Sequence, residues 1–261
     1  MPAEGVWISP SGRKVFIPLE NNPEVFTSLI RHLGVSPALG FYDVYSIDDA
    51  SLLSHIPRPV LALIFIAPSA MQTAVRQEDG LPKGVQVPSY DKSGPDEPVM
   101  WFHQTIGNAC GMYALLHTVA NGEVRKFVEQ DSVLERLIRD AGPLKAVERA
   151  KTVYDSQELE EAHMRAARLG NSVTPSAEVH AGHHFIAFVK GRDNHLYELE
   201  GSADGPIDRG LLAEDDDMLS ANSLDQGVKR FMKFADGNLN FSVVALATRG
   251  HDDQISSASQ D

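Results

Sequence analysis

The chain has a single cysteine, Cys110, among its 261 residues. A thiol becomes a nucleophile only where its surroundings favour the thiolate. Gln104-Thr105-Ile106-Gly107-Asn108-Ala109 reads as a loop that runs into the apolar pattern Cys110 to Ala120, with Asn121-Gly122 as its stop. Cys110 therefore stands in the first turn of a predicted helix. Free backbone N–H groups and a partial positive charge at that position lower a thiol's pKa. Gly111 leaves the sulfur accessible and permits close backbone approach. Acyl transfer also needs donors for a developing oxyanion, and the N–H of Cys110 and the amide of Gln104 can supply two. The plain alternatives are a buried small hydrophobe at 110 and an ordinary loop residue at 104.

A thiol nucleophile calls for an imidazole within reach, and the ten histidines cannot be sorted by proximity in sequence. His184 directly precedes the apolar run Phe185-Ile186-Ala187-Phe188-Val189, which would hold its ring on a rigid strand at the edge of a cleft. His183 and His180 are its local competitors. A carboxylate or amide should orient the ring and stabilise its cationic form. Glu198 and Glu200, at the end of the next predicted strand, point the same way because strand side chains repeat every two residues. Asp193 and Asp204 are weaker substitutes.

The elements that must position these groups follow from periodicity and punctuation. Asn22 before Pro23 is an N-cap with proline at the first helical position, apolar residues follow at helical spacing, and Gly34 is a C-terminal stop. Phe41 to Tyr45 alternates as a short strand, and Val60 to Ile66 reads as a strand buried on both faces. Met71 to Val99, polar and rich in Gly and Pro, reads as a long loop or a partly disordered stretch. Helices are expected over Val124 to Asp140 and Leu144 to Thr152, and from a capping box at Asp155 and Glu158 to Gly170. Asn171 to Gly182 lacks periodicity and reads as a mobile loop. His184 to Val189 and Leu196 to Leu199 form two strands joined by a turn at Gly191 to Asn194. Asp225 to Phe234 reads as a helix and Phe241 to Ala247 as a last core strand, before a polar tail.

With 43% hydrophobic residues the chain can bury a substantial core, and no repeat divides it, so one domain over 1–248 with a frayed tail over 249–261 is expected. The apolar run Val60 to Ala67 is too short to span a bilayer, and Met1 to Pro10 shows no secretory pattern. A lone cysteine fits a reducing compartment and excludes a multi-cysteine zinc site, so a cytoplasmic address is expected, with the nucleus also open to a chain of this size. The formal charge of −13, from 36 acids against 23 bases, argues against nucleic acid as a partner and favours a basic protein or peptide.

At this point the blocks resemble a family. Gln104 to Gly111 is similar to the signature of the ubiquitin carboxyl-terminal hydrolases, and His184 to Val189 and Leu196 to Gly201 are similar to its histidine and acid blocks. Pro18 to Val25, Ile56 to Val60 and Phe231 to Ala247 match as well. The likeness runs through roughly 15 to 248, in order, and fits the small single-domain branch. It implies Cys110 as nucleophile, His184 as base and proton donor, and Gln104 as oxyanion donor. The fold it implies is an α/β (α+β) papain-like one, with helices on both sides of a central, mainly antiparallel sheet and a knotted backbone. One departure stands out: the family usually has aspartate where this chain has Glu200, after a turn that is one residue longer. A glutamate reaches one methylene further and is kept as the orienting acid.

The resemblance also implies the substrate, ubiquitin or a ubiquitin-like protein, whose basic tail ends in two glycines and suits an acidic enzyme with a narrow cleft. Three segments should touch it: Pro18-Leu19-Glu20-Asn21-Asn22-Pro23, the crossover loop Arg168-Leu169-Gly170-Asn171-Ser172-Val173-Thr174, and Asn238-Leu239-Asn240-Phe241-Ser242-Val243. That loop would favour small or unfolded leaving groups. No metal or organic cofactor, nucleic acid or membrane enters this reading, and a monomer is the default. Two alternatives are a non-catalytic ubiquitin-binding module with a decayed site and a papain-like protease or acyltransferase for another peptide.

Overall fold

The computed structural model describes residues 2–171, 176–178 and 182–249. A small ribbon, β1 (Trp7–Ile8) and β2 (Lys14–Val15), precedes α1 (Pro23–Leu33), β3 (Leu39–Asp43) and the short α2 (Ala50–Leu53). Next come β4 (Val60–Pro68) and α3 (Ser69–Glu78), then α4 (Cys110–Val119), α5 (Val133–Ala141), α6 (Ala146–Asp155) and α7 (Gln157–Ala166). The chain continues through β5 (His183–Lys190), β6 (His195–Leu199), β7 (Ile207–Leu211), α8 (Ala221–Gln226), α9 (Val228–Met232) and β8 (Ser242–Thr248). Six strands form one sheet in the order β3-β8-β4-β5-β6-β7, and every neighbouring pair is antiparallel.

The continuous apolar run of β4 is divided between two cores. Ala62 and Ile64 join one that contains α1, α4, α5 and α7, while Leu63, Phe65 and Ala67 join another with α3, α8 and α9. A strand between two helical layers must be apolar on both faces, and each fully buried large side chain contributes ~1.5–3 kcal/mol. Helix α4 lies within the first core with all ten residues buried, which is why its sequence is apolar all round. It runs in the same direction as β5: Cys110 meets the start of that strand, and Gly122, just past the helix, lies against the carbonyl of Lys190 at its end.

Helix α1 has the predicted ends. Asn22 Oδ1 accepts from the Glu24 N–H at 2.8 Å, and Gly34 terminates the helix at φ +89°. Several expectations are corrected. Strand β3 begins two residues early, because its register follows β8 and buries Leu39, while Tyr45 is left exposed. Met71 to Val99 contains most of α3, whose buried face is Met71, Gln72, Val75 and Arg76, so polar residues hide the helical period. The expected helix over Val124 to Asp140 splits into a 3-10 turn, Gly122–Phe127, and α5. Asp131 at φ +58° breaks the run, and Ser132 recaps the chain by accepting from the Glu135 N–H at 3.1 Å. Helix α6 runs from Ala146 to Asp155 rather than from Leu144 to Thr152. Ser156, not Asp155, caps α7, which ends at Ala166. The expected helix over Asp225 to Phe234 is two helices, α8 and α9, divided by Gly227 at φ −104°, ψ −105°. The polar tail lies outside the described residues beyond 249.

Gly34 is required on two counts. Its φ belongs to the left-handed region, and a Cβ there would lie 2.1 Å from Cβ of Ser132. Gly34→Ala should therefore destabilise the fold by about 2 kcal/mol or more in urea denaturation, through strain at both helix ends. A loss below about 0.5 kcal/mol, the size of an ordinary surface change, would refute this packing.

Candidate active site

The loop before α4 is clamped from both sides. Phe16 N donates to the Gly107 carbonyl and Gly107 N to that of Lys14, both at 2.9 Å. A Cβ at 107 would press on Val15 at 3.0 Å, which explains the glycine. Asn108 takes φ +54° and its amide donates to the Ala177 carbonyl at 2.9 Å. Helix α4 then begins at Cys110 with no side-chain cap at Ala109, so its first N–H groups face the sulfur's end of the helix. Cys110 is buried, with 8% of its surface exposed, in the core that contains α4.

His184 is the second residue of β5, paired with Ala67 of β4 and 16% exposed. Its Nε2 lies 2.5 Å from Oε1 of Glu200, just beyond β6, and its side chain hydrogen-bonds Cys110, which leaves Nδ1 for the sulfur. Oε1 of Glu200 also accepts from Ser202 N at 2.8 Å and from the Ser202 hydroxyl. Its Oε2 accepts from Gln72 Nε2 at 2.8 Å, with Arg76 Nη2 at 3.7 Å. Glu198 and Glu200, both fully buried, do point the same way: both meet Arg76, and Glu198 also takes Arg209 Nη2 at 2.6 Å. A buried carboxylate stays ionised only when paired and hydrogen-bonded, and these partners meet that condition.

The electrostatics single out one histidine. Burial alone would depress the pKa of His184, but the charge of Glu200 and the hydrogen bonds to Cys110 and Glu200 raise it to about 10. Burial would likewise raise Glu200, yet the cationic ring, its hydrogen bond, Ser202 and Arg76 bring it down to about 2. For Cys110, burial is outweighed by the hydrogen bond and charge of His184 and by the N–H groups of Phe185 and Gly111, so its pKa is lowered. The two groups accordingly favour a thiolate–imidazolium pair. His117 and His163, by contrast, are pushed down to about 4 by burial and serve as neutral core groups. His183 is exposed, and His180 lies outside the described residues. Asp193 accepts from Tyr197 and Asp204 from Ser89, so neither serves the ring.

Gln104 sits where the end of β6 meets the α4 loop. Its N donates to the Gly201 carbonyl at 2.7 Å, and its Nε2 donates to that of Ile106 at 2.9 Å, leaving a second amide N–H. The segment leading to it is pinned to α4: Phe102 N donates to His117 Nε2 at 3.0 Å, and the Asn121 side chain makes two bonds with the backbone of Met100. Trp101 Nε1 donates to the carbonyl of Glu200 at 3.0 Å, tying this segment to the acid as well. Gln72, Arg76 and Ser202 were missed in the sequence. A glutamine and an arginine four residues apart on one helix face were the available signal for the first two.

The three segments expected to meet the substrate converge. Asn21 Nδ2 donates to Ser242 Oγ at 2.7 Å, and a Cβ on Gly170 would lie 2.5 Å from Oε2 of Glu20. Leu19 packs over Gly111, where a Cβ would lie 3.2 Å from it, so the glycine admits that side chain. Leu19 and Val243 are buried, whereas Leu239 and Leu169 are exposed. Arg168 is held by the Glu4 carbonyl at 2.7 Å. Ser172, Val173 and Thr174 lie outside the described residues.

Comparison with known proteins bears on this arrangement. The family model described as "Ubiquitin carboxyl-terminal hydrolase, family 1" matches residues 16–233. A relative from Arabidopsis thaliana, ubiquitin carboxyl-terminal hydrolase 3, is 32% identical over 242 residues, which are 92% of this chain and 97% of the relative. One from Aplysia californica is 33% identical over 83% of this chain and 94% of its own length. The human isozyme L1 is 31% identical over 88% of this chain and 96% of its own. Among solved structures, the catalytic domain of Trichinella spiralis UCH37 bound to ubiquitin vinyl methyl ester shares the fold. Its TM-score is 0.66 and its identity 20%, over 90% of this chain and 95% of that one.

The ion pair is testable without turnover. Cys110 should be alkylated by iodoacetamide as a thiolate at pH values well below the ordinary thiol value of 9.0. Replacing Glu200 by Gln removes the charge that holds the imidazolium, so the thiol pKa should rise and the rate at neutral pH fall by about tenfold per pKa unit. Superimposable profiles would show that Glu200 does not hold the ring.

Proposed function

This chain belongs to the ubiquitin carboxyl-terminal hydrolases, family 1, thiol-dependent deubiquitinases, and on that premise we propose which of its residues carry the reaction. The observation that carries the proposal is the connected series of Cys110, His184 and Glu200, with sulfur and ring in hydrogen-bond contact at the start of α4. The Cys110 thiolate attacks the carbonyl carbon of ubiquitin's C-terminal glycine and forms a carbon–sulfur bond, while the carbonyl oxygen becomes an oxyanion. The N–H of Cys110 and the second N–H of Gln104 are the donors for that charge. As the intermediate collapses, His184 gives its proton to the departing amine or thiol. The neutral ring then takes a proton from water, whose oxygen attacks the thioester. Collapse of this second intermediate expels the Cys110 thiolate beside the restored imidazolium and frees the ubiquitin carboxylic acid, which gives its proton to solvent. Glu200 stays ionised throughout and holds the ring in place.

Ubiquitin is the substrate, in keeping with the chain's family. The convergence of 18–23, 168–170 and 238–243, with Leu19 against Gly111, supports these three segments as its docking surface. The stretch after Gly170 leaves beside Glu20, comes to Asn108 at Ala177 and returns at Gly182, two residues before His184. Described points of the chain that bracket the site in this way support a preference for small or unfolded leaving groups.

Hydrolysis of ubiquitin carrying a fluorogenic C-terminal amide should be abolished in Cys110→Ala, and kcat should fall ~100-fold or more in Gln104→Ala. Ubiquitin vinyl methyl ester should label the wild type at Cys110. Binding without labelling would leave a ubiquitin-binding module instead. Replacing 168–174 with a longer Gly/Ser insert should speed cleavage of folded di-ubiquitin relative to the small amide. An unchanged ratio counts against the size limit.

A further inference from the structure

Helix α3 buries two polar side chains one turn apart, Gln72 at 5% and Arg76 at 1% exposure. Neither belongs there on hydrophobic grounds, since an amide or guanidinium taken from water must find partners to offset its desolvation. The partner of Gln72 is specific: Nε2 donates to Oε2 of Glu200 at 2.8 Å. Arg76 also faces Glu200, but at 3.7 Å, and its close contact is with Glu198. The two residues thus act differently on the acid. Arg76 donates its hydrogen bond to Oε1 of Glu198 and reaches Glu200 only as a charge. Gln72 supplies a directed bond to one oxygen.

The orientation matters because the last torsion of a glutamate, between sp³ and sp² carbons, is broad and intrinsically unfixed. Oε1 of Glu200 carries the contacts that count for the ring, His184 Nε2 at 2.5 Å and the two groups of Ser202. Rotation about that torsion would move Oε1 away from the ring. With Ser202 holding one oxygen and Gln72 the other, the carboxylate plane is set from opposite sides, by a loop and by a helix.

We propose that Gln72 is a positioning residue for the hydrolysis, gripping Oε2 of Glu200 from α3 so that Oε1 stays aligned with His184. This rests on the reading of Cys110, His184 and Glu200 as the reacting series. The charged groups facing Glu200 are His184 from β5 and Arg76 from α3, with Glu198 of β6 beyond the arginine. His103 and His117 also lie within its field, both pushed below their usual range by burial. Gln72 contributes no charge of its own, so its removal tests geometry rather than field.

Gln72→Leu keeps the volume and removes the donor. With the fluorogenic ubiquitin amide, its kcat should fall by about tenfold, part of the ~100- to 10,000-fold due to acid–base catalysis, while KM stays within about twofold. The alkaline limb of the kcat profile, and the His184 imidazole titration followed by NMR without turnover, should both move to lower pH. Gln72→Glu keeps the shape but sets a second carboxyl against Glu200, so the acid limb should move up as the two share a proton. A lower thermal midpoint with kcat, limbs and ring titration unmoved would make Gln72 merely structural and overturn the proposal. Should Gln72→Leu fail to fold, an unmoved acid limb in Gln72→Glu overturns it as well. An inactive wild type, or a Cys110→Ala chain as active as wild type, would instead overturn the reading beneath it, whatever the Gln72 variants do.

Discussion

A fully buried carboxylate, Glu200, keeps its negative charge only because an imidazolium, an amide, a serine and an arginine surround it. In a low-dielectric setting such a charge is costly when unpartnered and strongly polarising when partnered. Here it fixes the protonation of His184, and the ring in turn lowers the pKa of Cys110. The state of the sulfur is therefore decided in part by atoms it never touches. This dependence explains why α3 carries polar residues on its inner face.

The site is an assembly of ends. The start of α4 brings the sulfur, the start of β5 the ring, and the end of β6 the acid, because α4 and β5 run in the same direction across one face of the sheet. The bonds from His117 and Asn121 back to the segment 100–102 make the helix that begins at Cys110 also the support for Gln104. The sulfur and the Gln104 amide are thus held by one rigid body, which is the arrangement that the proposed stabilisation of a developing charge requires.

Much of this was legible in the residues, and the limits are instructive. Cys110 could be read because its signal is local: a loop, a small residue and an apolar helix in succession. The same-side placement of Glu198 and Glu200 followed from the two-residue strand period. His184 could be ranked but not separated from its neighbours. What distinguishes it from His117 and His163 is a buried acid in place of a backbone carbonyl, and that is a tertiary fact. Helix α3 was invisible because Gln72 and Arg76 occupy its inward positions, so a functional requirement erased the apolar period. The helices misjudged over 124–140 and 225–234 failed at single residues, Asp131 and Gly227, whose backbone conformations interrupt patterns that remain helical on either side.

Strand β8 is last in the described sequence yet sits between β3 and β4. A chain made only as far as α9 would hold two strands with a gap where their shared neighbour belongs, and the second core would lack Val243, Ala245 and Ala247. A nascent or clipped chain therefore contains Cys110, His184 and Glu200 while β4, which seats the start of β5, is left open along the edge that β8 covers. Synthesis past residue 248 is what closes that edge and completes the second core.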